Sequence, residues 1–80
     1  MIRVLLFGAA ADRAGTRKIE LPADEGATLG ELWPLLADRH PELVPMRDTL
    51  AFAVNGEYAR GEDAVSPGDE VAVLPPVSGG

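Results

Sequence analysis

Eighty residues with a formal net charge of −6 and no cysteine leave room for one domain, about one helix on one sheet. An acidic surface repels phosphate backbones, which argues against a nucleic-acid partner and asks any charged protein partner to be basic. The missing cysteines exclude disulfides, thiolate metal sites and persulfide chemistry on the chain itself, and agree with a reducing cytoplasm.

Apolar residues make up 46% of the chain and the charges are dispersed, the composition of a folded domain. The opening run that ends Gly8-Ala9-Ala10-Ala11 is too short for a signal peptide. No stretch approaches the roughly 20 apolar residues that span a bilayer, so a soluble cytoplasmic protein without a membrane partner is expected.

Ile2 to Phe7 is rich in β-formers and bounded by Gly8. After a loop turning at Ala14-Gly15, Arg17 to Leu21 alternates polar and apolar, and the two segments predict a hairpin with a long loop. Asp24-Glu25-Gly26 is a turn cluster. Thr28 with Glu31 three residues on forms a capping-box pattern before Leu29, Leu32, Trp33 and Leu36 at helical spacing. This predicts the main helix, which His40-Pro41 ends because the residue before proline disfavours the α region. Pro34 lies inside it, where it removes the bond to the Gly30 carbonyl and should kink or tighten the first turn. Leu50 to Val54 predicts a third strand running into Asn55-Gly56, a strong hairpin signal, with Glu57-Tyr58 starting the return strand. Pro67-Gly68-Asp69 turns the chain into Glu70 to Leu74, a last strand that Pro75-Pro76 stops because proline cannot donate to a ladder.

Strand residues alternate sides, so Ile2, Val4 and Leu6, Phe52 and Val54, and Val71 and Val73 should face the helix. The opposite side receives Leu5, Phe7, Ala51, Ala53, Ala72 and Leu74. That is more apolar than a solvated face usually is, and reads either as a partner surface or as scattered surface hydrophobes.

Beyond Leu74 stand Pro75, Pro76, Val77, Ser78, Gly79 and Gly80. The prolines favour an extended exit, and six residues at ~3.3 Å each reach about 20 Å, enough to enter a partner. Two glycines without Cβ can pass a narrow channel and leave the last carbonyl open to attack; a bare Gly-Gly end also reads as a frayed terminus. A terminal carboxyl is ionised at neutral pH and a poor electrophile until activated. Adenylation with ATP gives a mixed anhydride that a sulfur nucleophile opens to a thiocarboxylate, or an amine to an amide. With no cysteine present, the Gly80 carboxyl carbon is the obvious place to hold sulfur. Elsewhere the signals are structural: His40 has no metal or catalytic companions in its segment, Trp33 reads as core, and Asp12, Glu25, Asp63 and Asp69 read as turn and surface residues. Ser78 has no base, and no metal site is expected.

Ile2-Arg3-Val4-Leu5-Leu6-Phe7, Ala14-Gly15-Thr16, Gly26-Ala27-Thr28-Leu29, Ala53-Val54-Asn55-Gly56, Gly68-Asp69-Glu70-Val71 and above all Pro75-Pro76-Val77-Ser78-Gly79-Gly80 together resemble the MoaD-like members of the MoaD/ThiS family over essentially the whole length. The resemblance implies an α+β, ubiquitin-like β-grasp fold: a mixed sheet of four to five strands with one main helix packed on one face. It implies a β-grasp domain over residues 1–74 and a flexible Gly-Gly tail over 75–80. In function it implies a sulfur carrier whose Gly80 is adenylated by an E1-like activating enzyme, thiocarboxylated from a sulfur donor protein, and inserted into the large subunit of molybdopterin synthase. There the sulfur would pass to a pyranopterin precursor within a heterotetramer of two small and two large subunits. No cofactor would be bound, ATP being consumed by the partner enzyme. By alignment the apolar contact surface falls on Phe7, Tyr58 and Leu74; Leu74 stands where family members often carry an aromatic, and Pro34 is atypical of their helix. A carrier for another pathway such as thiamine synthesis, a ubiquitin-like protein modifier and a plain β-grasp interaction module are the alternatives.

Overall fold

A computed structural model describes residues 1–75; the sequence-predicted tail residues Pro76, Val77, Ser78, Gly79 and Gly80 lie outside the described residues. Strands β1 (Ile2–Leu6), β2 (Lys18–Leu21), β3 (Ala51–Val54), β4 (Glu57–Ala59) and β5 (Glu70–Leu74) form one sheet in the order β2-β1-β5-β3-β4. The central pair β1 and β5 is parallel, and every other pairing is antiparallel. This is a mixed five-stranded β-grasp sheet, within the four to five strands that the family resemblance implies.

Helix α2 (Leu29–Arg39) lies across one face of the sheet. Its start follows from the capping box: Thr28 Oγ1 accepts from Glu31 N–H at 3.2 Å, and Glu31 Oε1 accepts from Thr28 N–H at 2.9 Å. The next two orphan donors are also used, since Leu29 N–H donates to Asp63 O at 2.9 Å and Gly30 N–H to Gly61 O at 2.8 Å. Four N-terminal donors that an isolated helix leaves unpaired are thus satisfied, two of them by a loop distant in sequence. Pro34 leaves α2 unbroken over its eleven residues; its ring is exposed, away from the sheet.

Leu29, Leu32 and Leu36 of α2 pack with Ile2, Val4, Leu6, Val71 and Val73 of the sheet, all buried, and Phe52 and Val54 pack against them half-buried. The alternation in the strands therefore assigns the inner face as expected. Trp33 is half-buried rather than fully enclosed, edge-on to Phe52 at 6.3 Å between ring centroids, with the Arg47 guanidinium 5.2 Å from its ring.

Two segments depart from the sequence reading. Gly8–Ala14, expected as loop, is a helix, α1, ended by Gly15 in the left-handed region at φ 74° with its N–H donating to Ala11 O. Its alanines have high helix propensity, and Ala10 is buried in the core. Pro41–Thr49 is a 3₁₀ helix that brings Leu43 into the core, and Leu50, expected as strand, is the buried residue that follows it. His40 closes α2 and holds the new turn: its Nδ1 lies 3.1 Å from Glu42 Oε1, and its carbonyl accepts from Leu43 N–H. Glu42's own N–H and the His40 ring together hold the Glu42 carboxyl below its ordinary range.

Candidate functional site

The register of the sheet builds the outer face row by row. Lys18 stands opposite Leu5, Leu5 opposite Ala72, Ala72 opposite Ala53, and Ala53 opposite Tyr58, so these five share one row on the side away from α2. In the next row Ala51 stands opposite Leu74. Phe7 extends this row: it is still extended at φ −123° and ψ 152°, and its N–H donates to Val73 O at 3.2 Å. Phe7, Leu74 and Tyr58, the three sequence-predicted contact residues, thus come to one face, with Phe7 45% and Tyr58 81% exposed and Leu74 half-buried. Small residues between them, with Ala53 and Ala72 at the centre, keep this surface shallow. At the far end of the same face Arg3 is flanked by Glu20 and Glu70 and pairs with Glu70 at 3.5 Å. The face is therefore apolar toward the end of β5 and charged toward its beginning.

The chain leaves that apolar end through Pro75. Gly8 has φ 53°, and a Cβ built there would stand 2.9 Å from Pro75 Cγ. A glycine at this step lets α1 begin at once after β1 while the proline closes over it. Gly8 carried no role in the sequence reading; its position directly after a strand was the only signal, and the proline it meets lies 67 residues away (75 − 8). Next to this contact a hollow of about 330 Å3 is lined by Leu5, Phe7, Gly8, Ala11, Asp12 and Arg17. The tail residues predicted to carry the chemistry, Gly80 and Gly79 with Ser78, Val77 and Pro76, fall outside the described residues.

Tyr58 owes its place to the hairpin at Asn55-Gly56, where φ is 51° and 88°. Those two positive φ angles are what a tight turn between right-twisted strands requires. Asn55 Nδ2 donates to Asp69 Oδ1 at 3.1 Å, and Asn55 Oδ1 accepts from Glu70 N–H at 3.0 Å. Asp69, which reads from sequence as a turn residue, is thus also the anchor of the hairpin. The Asn55 amide, and then the Ser66 N–H on its other oxygen, hold the Asp69 carboxyl below its ordinary range.

Among the described residues, no group of three His, Cys, Asp or Glu side chains could hold a metal ion, and no helix is long and apolar enough to cross a membrane. The Asp12, Glu25 and Asp63 carboxylates are exposed, as expected of turn and surface residues.

Comparison with known proteins gives this face and tail a context. The chain is 37% identical over 82 residues to the molybdopterin synthase sulfur carrier subunit of Homo sapiens, covering 99% of this chain and 93% of that one. The crystal structure of small archaeal modifier protein 1 from Haloferax volcanii superposes with a TM-score of 0.88 at 34% identity, covering 99% of this chain and 98% of that one. A protein–protein complex of subunits 1 and 2 of the molybdopterin-converting factor from Helicobacter pylori contains a chain that matches with a TM-score of 0.73 at 25% identity, over 99% of this chain and 97% of that one. The ThiS family model matches residues 4–80. With the β-grasp sheet and near full-length similarity in hand, the chain belongs to the ThiS family, as its strand, turn and tail motifs imply.

Proposed function

We propose that this chain is a sulfur carrier, the small subunit of a molybdopterin synthase, with its sulfur held on the carboxyl carbon of Gly80. The observation that carries this reading is the juxtaposition of an apolar face, Phe7, Leu74 and Tyr58, with the end of β5 from which the Gly-Gly segment continues. Similarity to a molybdopterin synthase sulfur carrier subunit along 99% of the chain supports it.

The carboxylate of Gly80 attacks the α-phosphorus of ATP on an E1-like adenylating enzyme, releasing pyrophosphate and leaving an acyl adenylate. A persulfide sulfur on a donor protein then attacks the carbonyl carbon, the new C–S bond forming as the C–O bond to AMP breaks. A second thiol on the partner side cleaves the S–S bond of the resulting acyl disulfide, leaving a thiocarboxylate on Gly80 and a disulfide on the partner. ATP serves the partner enzyme, and the carrier itself holds no cofactor. The charged carrier docks through its sheet face on the synthase large subunit and passes its sulfur to the pyranopterin precursor, two carriers and two large subunits forming the complex. The assembly of subunits 1 and 2 in the Helicobacter pylori structure supports a large-subunit partner. ATP-dependent activation and thiol-borne sulfur both suit the cytoplasm.

The deciding measurement is the intact mass of the chain after incubation with ATP, adenylating enzyme and sulfur donor. We expect the mass gain of one oxygen-to-sulfur exchange, and none when Gly80 is deleted, with the circular dichroism spectrum unchanged. Sulfur delivery at the normal rate by the truncated chain would overturn the assignment. Likeness to small archaeal modifier protein 1 favours a second reading, in which the activated Gly80 carbonyl is taken by a lysine amine and forms an isopeptide. Gly80-linked peptides on other proteins, with no thiocarboxylate formed in the presence of sulfur donor, would select it.

A further inference from the structure

Asn55 is the one asparagine of the chain, there is no glutamine, and the residue after it is Gly56. An Asn-Gly step is chemically self-reactive. The Gly56 nitrogen can attack Asn55 Cγ, forming a C–N bond while the Cγ–Nδ2 bond breaks and ammonia leaves with the Gly56 proton. Water then opens the resulting succinimide at Cγ, giving aspartate, or at the main-chain carbonyl, giving isoaspartate. The sum is one water consumed and one ammonia released, with no change of oxidation state.

The reactants lie open. No atom beyond its chain neighbours would come within 4 Å of a Cβ built at Gly56, and Asn55, itself exposed, borders an open hollow of about 530 Å3 shared with Tyr58 and Asp69. What opposes the reaction is the grip on the side-chain amide. Nδ2 donates to Asp69 Oδ1 at 3.1 Å, Oδ1 accepts from Glu70 N–H at 3.0 Å, and Asn55 N–H donates to Glu70 O at 2.8 Å. Both ends of the amide are thereby held toward the start of β5, and attack by Gly56 N requires breaking at least the bond to the charged Asp69.

We propose that Asn55 is a spontaneous modification site of this protein, a self-reactive Asn-Gly step that Asp69 and Glu70 hold shut, and whose conversion to a carboxylate releases the β3–β4 hairpin and displaces Tyr58 from the outer face. The product cannot rebuild the latch. Aspartate at this position replaces the donating Nδ2 by an oxygen beside Asp69 Oδ1, so two carboxylates face each other where a hydrogen bond stood. Isoaspartate goes further, because it inserts a methylene into the main chain at the tightest turn and breaks the register of β4, an edge strand of three residues.

The test is a time course of the full chain in mildly alkaline buffer, with deamidation read from intact mass and isoaspartate content, and circular dichroism confirming which samples are folded. The folded parent should react at least about tenfold more slowly than the urea-unfolded chain, and folded Asp69→Ala roughly tenfold faster than the parent, the factor that one lost charge-assisted hydrogen bond represents. Asp69→Asn, which keeps an oxygen acceptor for Asn55, should restore slow reaction at Asn55 in peptide maps. Independently of whether Asp69→Ala folds, Asn55→Asp should lower the thermal midpoint at neutral pH, with the deficit shrinking at acid pH as the two facing carboxyls protonate. Equal rates in folded and unfolded parent, a folded Asp69→Ala that reacts like the parent, or an Asn55→Asp variant with the parental midpoint at neutral pH would each overturn the proposal.

Discussion

Phe7, Leu74 and Tyr58 meet on one face because alternation along three strands and one register fix their directions, and each is exposed for a different reason. Phe7 stands at the end of β1, where α1 turns away and leaves the ring 45% uncovered. Leu74 is shielded by its strand neighbours and keeps only part of its surface open. Tyr58 sits on the edge strand β4 and is 81% exposed, so almost none of its area is committed to the fold. If the face docks the large subunit, Phe7→Ala and Leu74→Ala should each weaken binding by about 1 kcal/mol or more, as central anchors do. Tyr58→Ala separates binding from stability best, because an exposed substitution changes stability within about 0.5 kcal/mol. A calorimetric titration of the three variants against the large subunit checks this, and unchanged affinity in all three would mean that another surface docks.

At the scale of the elements, α2 shows a local signal and a tertiary contact supporting the same boundary. Thr28 and Glu31 exchange two hydrogen bonds, and the loop at Gly61 and Asp63 takes the next two donors. Thr28→Ala should cost about 1 kcal/mol, the usual effect of losing such a cap. A lower urea midpoint with an unchanged slope is the expected result. This helix, all five strands and the Asn55-Gly56 turn were legible in the sequence because each rests on neighbours in the chain: a capping box, a period of two, a turn dipeptide. Helix α1 was not legible. Phe7 offers no capping side chain, and seven residues are too few to show an amphipathic stripe; the propensity of its alanines and Gly15, whose left-handed φ ends the helix, were the only hints. The 3₁₀ segment was hidden for a related reason: Pro41 and Pro45 interrupt any 3.6-residue period, and Leu43 is drawn inward by the rest of the core rather than by its own segment. The apolar face was legible residue by residue, whereas the Gly8–Pro75 contact and the Asn55–Asp69 latch join residues far apart in sequence, and no local pattern announces such pairs.

Across the whole molecule, the proposed function divides the labour between a rigid sheet that docks and a slender segment that reacts, and the division can be tested by damaging one part alone. Pro75 stands against Gly8 at the edge of the apolar face, so the fold places the last described residue beside that face. Beyond that point the chemistry asks the Gly80 carbon to reach an adenylating site and later a pterin precursor. Errors of about 1 Å in such placement can cost two orders of magnitude in rate. Gly79→Val tests this demand. Valine is β-branched, stiff at χ1 and excluded from the positive φ that glycine adopts freely, and it widens the segment where a narrow channel is required. Position 79 lies five residues past β5 (79 − 74), so the variant should unfold at the same denaturant concentration as the parent and bind the large subunit through the sheet face with unchanged affinity. Its adenylation or its sulfur donation should nevertheless fall by far more than either of those measurements would foretell. Single-turnover assays of the two steps, run separately, show which channel excludes the valine. Parental rates in both would mean that the glycine pair is not selected for slenderness, even with the sulfur still carried on Gly80.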